Sequence, residues 1–183
     1  MNVKQQLEAL LAPLAAVVAA AALLWGLSAA LLPTARSNAL AERDAVFRTL
    51  LPGSETFTPE AYDGGDGVIS AVYRGEGGYV IETVTGGYDG DLTLWVGVGD
   101  DGRVTGLMTR DLSETWGLGG NALRDTGFLG QFLNTAGQAE VGVDVDAIAG
   151  ATVTSRAVAA GVNAAVAYVT GADISSGATE WGG

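Results

Sequence analysis

The chain of 183 residues contains no cysteine and no histidine. Without cysteine there are no disulfides, no thiolate zinc sites and no cysteine-ligated iron–sulfur clusters. Without histidine the commonest general base and the commonest metal ligand are both missing, which argues against a hydrolytic triad or a zinc enzyme. Positive charge is scarce as well: 9 Lys and Arg against 21 Asp and Glu leave a formal net charge of −12. Lys4 and Glu8 are the only charged residues before Arg36 and cancel, so the excess acid lies beyond them. Such a surface is repelled by nucleic-acid phosphates and anionic headgroups, which excludes nucleic-acid binding as a main role.

What the chain has in quantity is apolar side chains and glycine. Hydrophobic residues make up 48%, too many for a disordered chain, and the 28 glycines call for many turns and close backbone approaches. The length suits one modest domain with an appendage. The appendage is at the start, where Ala9 to Leu32 carries no charge. Roughly 20 apolar residues cross the hydrocarbon core as a helix. Pro13 falls in the first turns, where a missing N–H matters least, and Pro33 follows as the expected exit. A signal peptide would also open on an apolar run, and the small residues Ser28-Ala29-Ala30 keep cleavage open as an alternative. Its apolar core usually spans only about 7–15 residues, so length favours a retained single-pass anchor. Trp25 lies inside the run and marks no interface, and Lys4 against Arg36 and Arg43 gives no orientation.

Beyond the anchor, Leu40, Val46, Phe47 and Leu50 fall at near-helical spacing, predicting a helix over 34–50 that ends near Pro52-Gly53. Residues 54–67 are acidic and glycine-rich and read as loop. Four runs rich in Val, Ile, Thr, Tyr or Trp follow at 68–74, 78–85, 91–98 and 104–110, each bounded by glycine. The short links at 75–78 and 99–102 favour an antiparallel meander, because a parallel sheet would need crossover helices. Residues 86–90 (GGYDG) are followed by neither a lysine nor a helix, so they read as a turn and not as a phosphate loop. Residues 123–133 suggest a short helix against the sheet. In the last helix Val158, Val162, Ala165, Val166 and Val169 form one stripe, with Gly171 as its stop. The expected fold class is therefore α+β, an antiparallel sheet with flanking helices preceded by a single N-terminal transmembrane helix. Its expected division is an anchor at 1–33, a linker helix and loop at 34–66, the principal domain at 67–171 and a tail at 172–183.

The stretch Asp146-Ala147-Ile148-Ala149-Gly150-Ala151-Thr152-Val153-Thr154-Ser155 leads into that last helix. Thr154 or Ser155 is a natural N-cap. A turn of small residues entering a helix is also where a phosphate is stabilised, by free N–H groups and the helix dipole. Capped helix and anion site both fit the local residues. The pattern Asp-x-x-Ala-Gly-Ala-Thr-x-Thr-Ser resembles the flavinylation motif of the FMN-binding domain family. That family includes the RnfG subunit of Rnf complexes and the NqrC subunit of sodium-pumping NADH:quinone reductases. The chain departs from it at Ala149, where Ser or Thr is usual. Residues 113–120 (SETWGLGG), by themselves a glycine-rich loop with a tryptophan, resemble the family's Glu-Thr-Pro-Gly-Leu-Gly segment with Trp116 in the proline's place. That replacement frees φ and adds an indole. Val96-Gly97-Val98 and Val104-Thr105-Gly106 match the family's strand, turn and strand, and the resemblance covers roughly residues 66–170.

The resemblance implies covalent FMN, held by a phosphoester to Thr152. It further implies that Thr154 and Ser155 cap the helix and hydrogen-bond the phosphate, with Asp146, Gly150 and Ala151 framing the attachment. Glu114, Thr115, Gly117, Leu118 and Gly119 would lie near the flavin, and Trp116, Leu118 and Trp95 are candidates to pack on its ring. Thr152 would be an attachment point and not a nucleophile in turnover, so neither a catalytic residue nor a metal site is expected. The tail holds a second copy, Asp173-Ile174-Ser175-Ser176-Gly177-Ala178-Thr179, in which Ser176 fills the position where Ala149 departs. No helix follows it, and Thr179 ranks behind Thr152. By its short length the chain resembles RnfG more than NqrC. The implied role is an electron-carrying subunit of an Rnf-type ion-translocating ferredoxin:NAD oxidoreductase complex, with little activity alone. The implied partners are the other membrane subunits, a flavin transferase for maturation and the bilayer around the N-terminal helix. The implied location is the cell (inner) membrane, single-pass, with the C-terminal domain outside the cytoplasm. Two further readings stand beside it: a stand-alone extracytoplasmic flavoprotein carrier, and an anchored binding module without flavin.

Overall fold

Short connections decide the topology, and the strands pair in the order they are made. A computed structural model describes residues 3–88, 90–111, 125–136 and 139–172. Its elements are α1 (Val3–Leu50), β1 (Thr58–Glu60), β2 (Ile69–Gly75), β3 (Gly78–Gly86), β4 (Asp91–Gly99), β5 (Val104–Asp111), α2 (Thr126–Gly130) and α3 (Thr152–Thr170). The strands form one 5-stranded sheet in the order β1-β2-β3-β4-β5, and each neighbouring pair is antiparallel. Gly77, at φ +93, makes the tight turn between β2 and β3, and Gly102, at φ +78, the one between β4 and β5. This is the expected α+β fold with its meander.

Two expectations change. β1 lies in the segment read as loop; its three residues are all exposed, so no apolar alternation announced it. Pro59 is tolerated there because β1 is an edge strand, where a missing N–H breaks no ladder. The helix expected to start after Pro33 is instead the end of α1, which contains both Pro13 and Pro33. Proline has a helix-compatible φ and forfeits one backbone bond. The flanking Leu31-Leu32 and Thr34-Ala35 bring no glycine to complete a stop.

The chain divides into two compact units, Met1–Arg43 and Asp44–Gly183. In the first, α1 leaves Val17, Val18, Leu23, Leu24, Trp25, Leu27, Leu31 and Leu32 exposed. Among the described residues this is the one helix long and apolar enough to cross a membrane, by length and composition.

In the second unit the sheet is covered on both faces. Ile81, Leu92, Leu94, Val96 and Val98 pack with Val158, Val162, Ala165 and Val166 of α3. Gly161 allows the closest approach, since a Cβ there would stand 2.7 Å from Thr83 Oγ1 and 2.9 Å from Leu94 Cδ1. On the opposite face Val80 packs with Phe47, Leu50, Leu51 and Phe57. Phe47 is fully buried, its ring 5.3, 4.8 and 5.1 Å from those of Phe57, Tyr73 and Trp95. Gly97 and Gly106 pair across β4 and β5 and make a slot for Leu50. The Thr105 hydroxyl donates to the Leu50 carbonyl at 2.6 Å.

At the far end of α3 the Tyr168 hydroxyl donates to Glu60 at 3.3 Å, with the rings of Tyr62 and Tyr79 5.8 and 5.6 Å away. Burial and the nearby Glu60 carboxylate raise its pKa above the ordinary phenol value. A raised pKa means that the folded state holds this proton more tightly than the unfolded one. The contribution of Tyr168 to stability is therefore full below about pH 10 and falls as the pH rises through the folded pKa. In an alkaline titration of phenolate absorbance, Tyr168→Phe should remove the latest-titrating fraction of the signal; loss of an early fraction would contradict this.

Candidate functional site

The residues before α3 form a turn whose chemistry can be followed bond by bond. Ala151 N–H donates to the Ile148 carbonyl at 2.9 Å, closing the four residues 148–151. Gly150, third in that turn, sits at φ +79, a conformation that β-carbon-bearing residues resist. Ser155 locks the turn from the helix: its hydroxyl accepts from Ile148 N–H at 3.2 Å and donates to the Ala151 carbonyl at 2.9 Å. Upstream, the Gln131 side chain accepts from Asp146 N–H at 2.8 Å, and Asn163 binds both backbone groups of Ala139 at 2.8 and 3.1 Å. The loop is thus tied to α2's flank and to α3.

This arrangement corrects the expected cap. The N-cap of α3 is Ala151, with no side-chain cap bond, and Thr152 is the first helical residue. Thr154 and Ser155 lie inside the first turns and are fully buried. The physical reason is that a serine can bond back to the carbonyl four residues earlier as readily as it can cap; here it does so. The Ser155 hydroxyl therefore points at its own turn, while Thr152, Asp146, Ala149 and Gly150 are exposed and Ala151 is buried. The first turn carries no acidic residue. An exposed hydroxyl at an uncapped helix start, next to a turn needing a glycine, is suited to an anion. Ser155→Ala should leave Ile148 N–H without its partner and lower stability by about 1–2 kcal/mol in a denaturant melt. An unchanged midpoint would show that the clamp contributes nothing.

The register of α3 on the sheet shows what Thr152 stands near. Thr85 Oγ1 donates to the Ala157 carbonyl at 3.0 Å, Gly161 lies over Thr83, and Gly102 lies against Thr170. The helix therefore runs opposite to β3. Five residues of helix, at about 1.5 Å each, carry Thr152 past the end of β3. It reaches the sheet end that holds the turn from Gly86 to Asp91 and the finish of β5 at Asp111. Glu114, Thr115, Trp116, Gly117, Leu118, Gly119 and Thr179 lie outside the described residues.

Trp95 is not brought to this place. Its ring is on the face opposite α3, where its indole N–H donates to Glu82 at 2.8 Å. Glu82 is only 8% exposed and also accepts from Ser70 at 2.7 Å and from Arg110 at 2.6 Å. The Arg110 guanidinium lies 5.5 Å from the Trp95 ring centre. Sequence reading missed this cluster; the signal was one acid inside an otherwise apolar strand.

Residues 87–167 match the FMN-binding domain family. Three curated relatives are similar, each the G subunit of a membrane oxidoreductase complex. The one from the proton-translocating ferredoxin:NAD(+) oxidoreductase complex of Clostridium ljungdahlii is 39% identical over 99 residues, which is 50% of this chain and 53% of the relative. The one from the ion-translocating oxidoreductase complex of Methanosarcina acetivorans is 32% identical over 143 residues, covering 70% of this chain and 75% of the relative. The one from the Na(+)-translocating ferredoxin:NAD(+) oxidoreductase complex of Acetobacterium woodii is 33% identical over 100 residues, 49% of this chain and 47% of the relative. The chain thus spans about half the length of two relatives and three quarters of the third.

Proposed function

Because the chain belongs to the family of RnfG-type subunits of ion-translocating oxidoreductase complexes, we propose that it is an FMN-carrying, membrane-anchored electron-transfer subunit of an Rnf-type ferredoxin:NAD oxidoreductase complex. The FMN is bound covalently, by a phosphoester to Thr152. The observation that carries this reading is the placement of Thr152, exposed at the first position of a helix whose N-cap offers no side chain, inside the stretch matching an FMN-binding domain. The residues fit a phosphate there: the helix start supplies N–H groups and the positive end of the dipole, and no acid opposes them. Ala149 is exposed, so the hydroxyl usual at that position is not needed for packing.

Bound FMN supplies transfer of one or two electrons; the chain's own residues attach and orient it. Gly150 supplies the turn, Ala151 the buried hinge and Ser155 the clamp that presents Thr152. Asp146 and Thr154 shape the two flanks of the attachment, and Glu114, Thr115, Gly117, Leu118 and Gly119 line the ring's surroundings. Residues 67–171 form the flavin domain and 1–33 the anchor, with 34–66 as linker and 172–183 as tail. The domain lies outside the cytoplasm, where dissociated FMN could not readily be recovered, which gives a covalent link its purpose. The partners are the membrane subunits of the complex and a flavin transferase.

Production of the full chain with a flavin transferase tests this. Flavin fluorescence should stay with the chain after denaturation, and the chain should copurify with the complex's membrane subunits. A colourless chain would favour the flavin-free binding module; a flavinylated chain that never joins the complex would favour a stand-alone carrier.

A further inference from the structure

The start of α3 has charge of the wrong sign for a bare helix. Its first turn holds no acid, and Arg156, four residues beyond Thr152, is exposed. A cation near the positive end of a helix dipole is unfavourable. Elsewhere among the described residues after Asp44, each arginine bridges a carboxylate: Arg48 to Glu55, Arg74 to Asp100, Arg103 to Asp101 and Arg110 to Glu82. Arg156 alone among these has no ion pair, in a chain with 21 acids and 9 cations. Carboxylates are plentiful, yet none is set against it.

We propose that Arg156 is the counter-cation of the phosphate that holds FMN at Thr152, a positioning residue for the tethered cofactor; this rests on the reading that Thr152 carries the flavin. Residues four apart on a helix have neighbouring side chains, with β-carbons about 5–6 Å apart. An anion four residues before a cation is the favourable order for such a pair. The guanidinium fork fits two phosphate oxygens at once, which a point charge cannot do. One anion on Thr152 thus answers both the uncapped helix start and the unpaired arginine. The pair restrains the tether at its root and so limits how far the ring can swing. The tail copy lacks this partner, since the position four residues after Thr179 is Gly183.

The test uses the full chain loaded by a flavin transferase, as wild type, Arg156→Gln and Arg156→Lys. The readouts are intact mass for FMN per chain, the rate of loading at limiting transferase, phosphorus NMR of the loaded chain and anisotropy of flavin fluorescence. Arg156→Gln should shift the phosphorus resonance, lower the anisotropy and slow loading by about tenfold, the size of one charge-assisted hydrogen bond. Arg156→Lys should recover most of the loading rate, because the charge remains, and less of the phosphorus shift, because the fork is lost. A loaded Arg156→Gln chain with wild-type loading rate, resonance and anisotropy would overturn the inference while leaving FMN on Thr152 intact. A wild-type chain without an FMN adduct on Thr152 would remove the functional reading and this inference with it.

Discussion

Thr152→Ala should abolish covalent FMN and leave the fold intact. The two halves of that result have separate causes. Thr152 is exposed and stands one residue after the N-cap, so its side chain supplies neither packing nor the cap. Alanine is a good helix former, and an exposed change of this kind stays within about 0.5 kcal/mol. The flavin, in contrast, depends on one oxygen. The next hydroxyl along, Thr154, is fully buried, and the one after it, Ser155, is engaged at both ends of the turn. Neither can take over. The loss should therefore be all or none, read as disappearance of flavin fluorescence from the denatured chain with an unchanged thermal melt. Thr152→Ser, which keeps the oxygen, should retain flavin.

Gly97→Val should be the most damaging single change in the sheet. A Cβ at Gly97 would meet the Leu50 carbonyl oxygen at 2.2 Å and the Thr105 hydroxyl at 2.8 Å. The obstacle at Leu50 is backbone, which cannot rotate away as a side chain would. Either strand β4 shifts or residues 47–51 lift from the sheet, and lifting would expose Phe47, now buried against three aromatic rings. Overpacking of this kind costs about 3 kcal/mol, which for a domain of this size lowers Tm by about 10 °C. Gly67→Ala is the control, because a Cβ there meets nothing within 4 Å. Equal melting of the two variants would mean that the slot beneath Leu50 does not hold the sheet's second face.

Strands β2 to β5 were legible because their side chains alternate or run apolar between glycines, a pattern local enough to read along the chain. The stripe of α3 and its stop at Gly171, in the left-handed conformation at φ 68, were legible for the same reason. What escaped depended on partners distant in sequence. β1 has no buried residue and exists only by pairing with β2. Glu82, Ser70, Trp95 and Arg110 meet across β2 to β5, so their contact requires the registers of three strand pairs. Gly97 and Gly106 look like weak points in strands until Leu50 is seen above them. At the site itself, Gly150 and Thr152 could be picked out in the sequence, but the use of Ser155 could not. A serine near a helix start serves as cap or as clamp, and only the path of residues 148–151 decides which.

The most direct measurement is peptide mass spectrometry on the chain produced with a flavin transferase and cleaved at arginine. Arg156 separates the two copies of the motif, with Thr152 in the peptide Asp125–Arg156 and Thr179 in Ala157–Gly183. The expected result is an FMN-minus-water adduct on the first peptide, assigned by fragmentation to Thr152 and not to Thr154. An adduct confined to the second peptide, or none on either, would contradict attachment at the start of α3.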